Sequence, residues 1–170
     1  MKHRSAFLAA FGFAGRGIWQ ALRSQRNLRV HVSVGLFVSG LAWLLNFTRI
    51  DWAFAIVAMA LVLGLELVNS ALEAVVDLAS PDYHRLAREA KDTAAGAVLI
   101  AALASVAIGL LIYGTRLQHL PQYFMVRWRE NPIFLIIWCV ALSLCYVLLW
   151  GLVPDRHQSE GGQNRSGGTP

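Results

Sequence analysis

The sequence predicts an all-α membrane protein with an N-terminal amphipathic surface helix, a unit of three transmembrane helices and one extra C-terminal transmembrane helix. Three observations support this fold class. Hydrophobic residues make up 56% of the 170 residues, they lie in long blocks, and charged residues are concentrated between those blocks. The formal net charge of +5 comes from short basic segments, which favours lipid headgroups over nucleic acid as the anionic partner.

Residues 1–29 combine a short apolar patch with arginines that alternate with Ile18, Trp19 and Leu22. This pattern is typical of a basic amphipathic helix that lies on a membrane surface. The alternative is a secretory signal peptide, but no clear small-x-small cleavage site follows the apolar patch. We therefore predict a surface helix over residues 1–29. Arg26 and Arg29 at its end could anchor it to lipid phosphates or, alternatively, bind ATP or a lipid phosphate.

A core of three transmembrane helices is predicted for residues 30–114. Its spans are about 30–47, 52–72 and 93–114, and each has a length near the roughly 20 residues that cross the hydrocarbon layer of a membrane. A short turn separates the first two spans, so we expect these helices to be antiparallel neighbours. The third span is rich in alanine, which permits close packing of helices.

Polar segments flank the third and fourth spans. Residues 79–92 carry too many charges to lie in lipid, and Ser80 is predicted to cap the following helix, with Pro81 in its first position. Residues 115–153 hold a polar, aromatic connection followed by the fourth transmembrane helix. The segment 154–170 is rich in Gly, Ser and Gln and is predicted to be disordered.

Basic residues are distributed unequally between the two sides of the membrane. Eleven of the fifteen Lys and Arg residues lie in the N-terminal segment, the 79–92 loop and the C-terminal tail. Because cytoplasmic segments carry the excess of positive charge, we predict that these three segments are cytoplasmic.

A polar stripe interrupts the second apolar run. Its residues, Glu66, Asn69, Glu73 and Asp77, are spaced by three, four and four positions, which places them within roughly 80° of one another on a helix. An ionisable residue inside a membrane span costs several kcal/mol unless it is paired or hydrated, so Glu66 indicates a functional site. The structural alternative is a neutral carboxylic acid that is hydrogen-bonded for packing specificity.

The outer end of this stripe leads toward Lys91 and Asp92, at the start of the next helix. A lipid alcohol could therefore reach Glu66 from the membrane, while a metal-bound nucleotide approaches from water. Phosphoryl transfer needs a base, carboxylates that hold a metal and a cation for the phosphates. The non-enzymatic alternative is a proton relay through the carboxylates, which would not require Lys91 with Asp92.

Two segments carry a resemblance to a known family. ELVNSALEAVVD and the later YHRLAREAKDTAAGAVL strongly resemble the prokaryotic integral-membrane diacylglycerol kinase and undecaprenol kinase family, over about residues 5–115. The resemblance implies a homotrimeric enzyme of the bacterial inner membrane that uses ATP and Mg²⁺ to phosphorylate diacylglycerol, giving phosphatidic acid. Undecaprenol, which would give undecaprenyl phosphate, is the alternative acceptor. The absence of a Gly-rich Walker loop agrees with this family.

The resemblance also assigns roles to individual residues. It makes Glu66 the catalytic base, with Asn69 beside it and Ala95 where the lipid is bound, and it makes Glu73 a metal ligand that also contacts ATP. Further positions that match ATP contacts are Asp82, Tyr83, His84, Lys91 and Asp92.

The sequence departs from the family pattern at its N-terminal helix and at its C-terminus. Gln25 occupies the position of a second metal-binding carboxylate that also contacts ATP, so a charge is lost there unless another acid such as Asp92 contributes. Phe13 occupies a nucleotide-contacting position and is carried over as a weak ATP contact. Residues 115–170 extend the chain beyond the three spans typical of the family.

Overall fold

The computed structural model describes residues 2–80, 82 and 84–151, and every regular element in that part of the chain is a helix. The six helices are α1 (Lys2–Ser24), α2 (Arg26–Leu44), α3 (Arg49–Ala79), α4 (Arg85–Leu117), α5 (Leu120–Glu130) and α6 (Pro132–Gly151). By length and composition α2, α3 and α4 could each cross a membrane, and α5 with α6, bent by 108°, could supply a fourth span. The predicted all-α fold class is therefore confirmed. The tail predicted to be disordered, 154–170, lies outside the described residues.

The turn between α2 and α3 is fixed by local hydrogen bonds. The hydroxyl of Thr48 accepts a hydrogen bond from the backbone N–H of Asp51, and the Asp51 carboxylate accepts one from the backbone N–H of Thr48 at 2.8 Å. This reciprocal pair satisfies donors at the start of α3 that have no partner inside the helix. Asn46 adopts a positive φ of 54° in the turn, a conformation that asparagine tolerates better than most residues.

The prediction that Ser80 caps α4, with Pro81 in its first position, is wrong. Helix α3 continues to Ala79, and the backbone N–H of Ser80 donates to Val76 O at 2.9 Å, so Ser80 ends α3. Helix α4 begins later, after His84, whose ring nitrogen Nδ1 accepts from the N–H of Leu86 at 3.2 Å. The imidazole of His84 therefore forms the capping hydrogen bond that was expected of the Ser80 hydroxyl. Pro81 lies outside the described residues.

The core of the bundle is the pair α3 and α4, on which α2 packs. Small residues bring α3 and α4 together, with Ala58 and Ala101 buried and the Ser105 hydroxyl donating to Ala58 O at 3.3 Å. Small side chains let helix backbones approach closely, which drives association of helices in lipid. On the other side of α3, Met59 lies against Gly35 of α2.

One end of the bundle, which we call the turn end, is closed by a compact cluster around the α2–α3 turn. Phe47 is buried there against Tyr113, whose hydroxyl donates to Val38 O at 2.8 Å. The guanidinium of Arg116 lies over the Phe47 ring and pairs with Asp51 at 2.6 Å, which ties α4 to the start of α3. The opposite end, where α1, the end of α3 and the start of α4 lie, is the site end.

Helix α5 starts the return of the chain from the turn end. Arg127 donates to the side-chain oxygen of Asn46 at 2.9 Å and lies over the ring of Trp43. Helix α6 then runs back along α2, where the indole of Trp138 packs directly on Gly40. The last turn of α6 therefore reaches the site end.

Candidate active site

The polar stripe of α3 becomes more exposed toward the site end. The exposed fractions of Glu66 and Asn69 are 3% and 6%, whereas Glu73 is half-buried and Asp77 is exposed. Helix α3 is unbroken through all four positions, so the 3.6-residue period keeps them on one face. We call the buried end of this polar surface, at Glu66 and Asn69, the dry end, and the exposed end, at Asp77, the wet end.

Asn69 and Glu73 form the hydrogen-bonded centre of the stripe. The amide nitrogen Asn69 Nδ2 donates to Glu73 Oε1 at 3.0 Å. The amide oxygen Asn69 Oδ1 is buried and has no hydrogen-bond partner in the part of the chain that the structure describes. An oxygen acceptor left unsatisfied in this way costs free energy unless a ligand or water meets it.

Glu66 is a buried residue of α3 with charged or ionisable neighbours on α2 and on α3 itself. It interacts electrostatically with His31 on α2 and with Glu73 on its own helix. His31 also lines a largely apolar cavity of about 510 Å³ between α2, α3 and α4. Val62, one turn before Glu66 on α3, lines the same cavity, so the buried end of the stripe lies next to space that hydrocarbon can fill.

An ion pair joins the wet end of the stripe to α4. Lys91 Nζ donates to Asp77 Oδ1, with 34% of the lysine side chain and 66% of the aspartate side chain exposed. Ion pairs between exposed side chains contribute only about 0–1 kcal/mol to stability. Lys91 is thus held near the stripe by an interaction that a phosphate could replace.

A second cavity of about 480 Å³ opens between α3 and α4 at the stripe. Asn69 contributes to its α3 wall, and Thr93 and Ala94 contribute to its α4 wall. Ala95, the predicted lipid contact, is exposed next to this wall. Asp92 is exposed and pairs with Arg88 on its own helix at 3.6 Å.

The remaining candidate ATP contacts lie at the edges of the site. His84 caps α4, and Asp82 is exposed in the connection before it, with its backbone oxygen accepting from Ser80 at 3.2 Å. Tyr83 lies outside the described residues. Phe13 is exposed on α1 beneath the guanidinium of Arg16, whose central carbon is 4.6 Å from the ring centre.

Gln25 lies at the break between α1 and α2. Its backbone is extended, with φ −104° and ψ 115°, and its half-buried side chain makes no capping hydrogen bond to α2. Within the described ranges, no group of three or more His, Cys, Asp or Glu residues comes close enough to hold a metal. A metal held by the described part of one chain would therefore have at most two such side chains as ligands, together with amide oxygens and any oxygens that a substrate brings.

Arg29 has a role that the sequence did not indicate. The sequence suggested that Arg26 and Arg29 anchor the surface helix to lipid phosphates or bind a phosphate. Instead Arg29 is only 3% exposed, and its guanidinium donates to Leu22 O at 3.3 Å and to Arg23 O at 3.1 Å. The last carbonyls of any helix lack partners within it, so a basic residue soon after a helix end is the signal that could have predicted this contact.

Comparisons with known proteins cover the part of the chain that carries the stripe. The chain matches the prokaryotic diacylglycerol kinase family over residues 12–113. It is 40% identical over 107 residues to the undecaprenol kinase of Bacillus subtilis strain 168, an alignment that covers 63% of this chain and 87% of that protein. It is 47% identical over 103 residues to a diacylglycerol kinase of Synechocystis, covering 60% of this chain and 59% of that protein.

A more distant relative, the diacylglycerol kinase of Escherichia coli strain K12, is 33% identical over 99 residues, covering 58% of this chain and 81% of that protein. The family match includes the whole polar stripe and the start of α4, and it ends before α5 and α6. The predicted resemblance is thereby confirmed. The chain belongs to the prokaryotic diacylglycerol kinase family and is a membrane-embedded lipid kinase.

Proposed function

We propose that this kinase transfers the γ-phosphoryl group of ATP to the hydroxyl of diacylglycerol, giving phosphatidic acid, at the polar stripe of α3. The observation that carries the proposal is the change in burial along one helix face. Glu66 and Asn69 are buried at the dry end, whereas Asp77 is exposed beside Lys91 at the wet end. A hydroxyl from the membrane and a phosphate from water can therefore meet at one place.

Glu66 is the proposed catalytic base. Phosphoryl transfer needs a side chain that orients the attacking hydroxyl and accepts its proton, and a carboxylate can do both. The apolar cavity beside Glu66 offers a route for a lipid from the membrane. Asn69, one turn along the same face, would orient the lipid hydroxyl, and Ala95 on α4 would contact the lipid.

Glu73 and Gln25 are the proposed ligands for Mg²⁺. The donor set fits a hard cation, because the stripe offers the Glu73 carboxylate and the unsatisfied amide oxygen Asn69 Oδ1. Mg²⁺ commonly binds through one or two carboxylates together with phosphates and water, which agrees with the few acidic ligands in one chain. The bound cation would offset negative charge on the phosphates.

The nucleotide is proposed to lie at the wet end of the stripe. Lys91 would exchange its ion pair with Asp77 for a phosphate of ATP, because its flexible, three-donor ammonium can move between anionic partners. Glu73 would contact ATP through the metal. The other proposed ATP contacts, carried from the resemblance, are Gln25, Phe13, Asp82, Tyr83, His84 and Asp92.

The site end is proposed to face the cytoplasm, with the chain in the bacterial inner membrane. Nine of the fifteen Lys and Arg residues belong to residues 1–29 and 79–92, which meet at this end, in agreement with the charge bias of cytoplasmic segments. A homotrimer with shared sites is proposed from the resemblance. The exposed apolar faces of α3 and α4 leave room for contact with neighbouring chains and membrane lipids.

Undecaprenol is the second candidate acceptor. The observation in its favour is the match to the undecaprenol kinase of Bacillus subtilis, which covers 87% of that protein. Membership in a kinase family argues against the proton relay that the sequence alone left open.

Replacing Glu66 by Gln tests the proposed base. Glu66→Gln keeps the size of the side chain but cannot accept the proton, so turnover should fall about a hundred- to ten-thousand-fold, the usual contribution of acid–base catalysis. Transfer of labelled phosphate from ATP to lipid in detergent measures this. The matched control is Glu130→Gln on α5, an exposed glutamate outside the stripe, which should keep the wild-type rate. Wild-type turnover in Glu66→Gln would rule out Glu66 as the base.

Gln25→Glu tests whether residue 25 is near the metal. An added carboxylate should strengthen Mg²⁺ binding and lower the Mg²⁺ concentration for half-maximal activity by about threefold or more, because ligand charge tunes the affinity of such sites. The control, Gln20→Glu, makes the same change at an exposed position of α1. An identical Mg²⁺ dependence in Gln25→Glu and in wild type would place residue 25 away from the metal.

A side-by-side assay of the two lipids decides the acceptor. We expect purified enzyme to phosphorylate diacylglycerol with a higher kcat/KM than undecaprenol, since the ratio of these values is the specificity. The opposite order would make undecaprenol the acceptor. If neither lipid were phosphorylated, the proposed function would be wrong.

A further inference from the structure

Helix α6, which lies outside the family match, follows α2 in an antiparallel register along its whole length. Near the turn end Trp138 packs on Gly40, and a side chain at position 40 would overlap the indole. At mid-length, Leu142, Ser143 and Tyr146 share a cavity wall with Ser33 and Phe37 of α2. At the site end, Trp150 lies against the first residues of α2.

The ring of Trp150 contacts two guanidinium groups. Its centre is 5.9 Å from the central carbon of Arg26 and 5.7 Å from that of Arg29. Both distances lie within the range of cation–π attraction, which is strongest over tryptophan and increases when the cation is removed from water. Arg29 is almost completely buried, so the desolvated case applies to it.

Arg29 also contacts α1, and it thereby connects Trp150 to that helix. Its guanidinium donates to the carbonyls of Leu22 and Arg23 in the last turn of α1. Residues 22–29, which we call the hinge, contain the break in the helix at Gln25, where the backbone is extended. The direction in which α1 leaves α2 therefore depends on Arg29, and the position of Arg29 depends in part on Trp150.

The hinge also carries a residue of the proposed site. In the sequence, Gln25 lies between Arg29 and the two residues whose carbonyls accept hydrogen bonds from Arg29. The proposed function assigns Gln25 to the metal and the nucleotide. A shift of the hinge would move Gln25 and α1 relative to the stripe on α3. Small displacements of positioning groups have large effects on the binding of substrates in reactive geometry.

We propose that the C-terminal helix α6 is a brace for the kinase site, with Trp150 as a positioning residue that fixes the hinge through Arg26 and Arg29. This inference rests on the proposed function for the role of Gln25. The contact between α6 and the hinge stands on the geometry alone. The extension beyond the three-span core would thus set the placement of α1 without touching any substrate.

The test compares Trp150→Ala and Trp150→Phe with wild type in the full-length protein. Amide hydrogen exchange of residues 22–29 should become about tenfold faster in Trp150→Ala, because a contact that limits local opening is lost. The KM for ATP should rise about fivefold while kcat stays near the wild-type value, since the chemical groups are unchanged. Trp150→Phe keeps an aromatic face and should restore most of both effects.

The control is Trp128→Ala on α5, which removes a half-exposed indole far from the hinge and should leave hinge exchange unchanged. Unchanged hinge exchange in a folded Trp150→Ala protein would overturn the brace. Faster exchange with a wild-type KM for ATP would overturn the positioning role. If the wild-type enzyme phosphorylated neither lipid, the proposed function would fail, whereas the exchange measurement would still decide the contact.

Discussion

The burial of Glu66 within a helix suited to hydrocarbon is the constraint on which the rest of the site depends. A carboxyl group at that position costs free energy unless the surrounding structure gives it polar neighbours. Glu66 interacts with His31 on α2, and the polar face of α3 continues from Glu66 toward the end of the helix. This face ends at the Asp77–Lys91 pair. The stripe thereby runs from the buried interior of the helix bundle to exposed residues, as the proposed reaction between a lipid and a nucleotide requires.

The same constraint explains why rigid supports surround α3. A polar face inside a membrane protein is useful only if its neighbours keep it in one geometry, and the Asp51–Arg116 pair and the Phe47 cluster fix the turn end of α2, α3 and α4. At the site end, α1 is joined to the core through the start of α2. There the buried guanidinium of Arg29 joins the two halves of the hinge, and α6 packs behind it.

The sequence predicted the parts of this arrangement that depend on local pattern. Apolar length predicted helices that are long enough to cross a membrane, and the three-, four- and four-residue spacing predicted that Glu66 and Asp77 share a face of one helix. The sequence-based predictions were wrong where a long-range contact, or competition between two local structures, determines the conformation. Ser80 ended α3 instead of capping α4, and Arg29 bonded to carbonyls instead of lipid phosphates. The antiparallel register of α6 on α2 has no local signature, because it depends on long-range contacts such as that of Gly40 with Trp138, nearly 100 residues further along the chain.

The division of the stripe into a lipid end and a nucleotide end is tested most directly by equilibrium binding of Mg²⁺–ATP to two variants. Glu66→Gln should bind Mg²⁺–ATP with wild-type affinity, since Glu66 lies at the dry end. Glu73→Gln should bind it at least about tenfold more weakly, because a charged metal ligand is lost. An equal loss of affinity in both variants, or a loss only in Glu66→Gln, would contradict this division of the site.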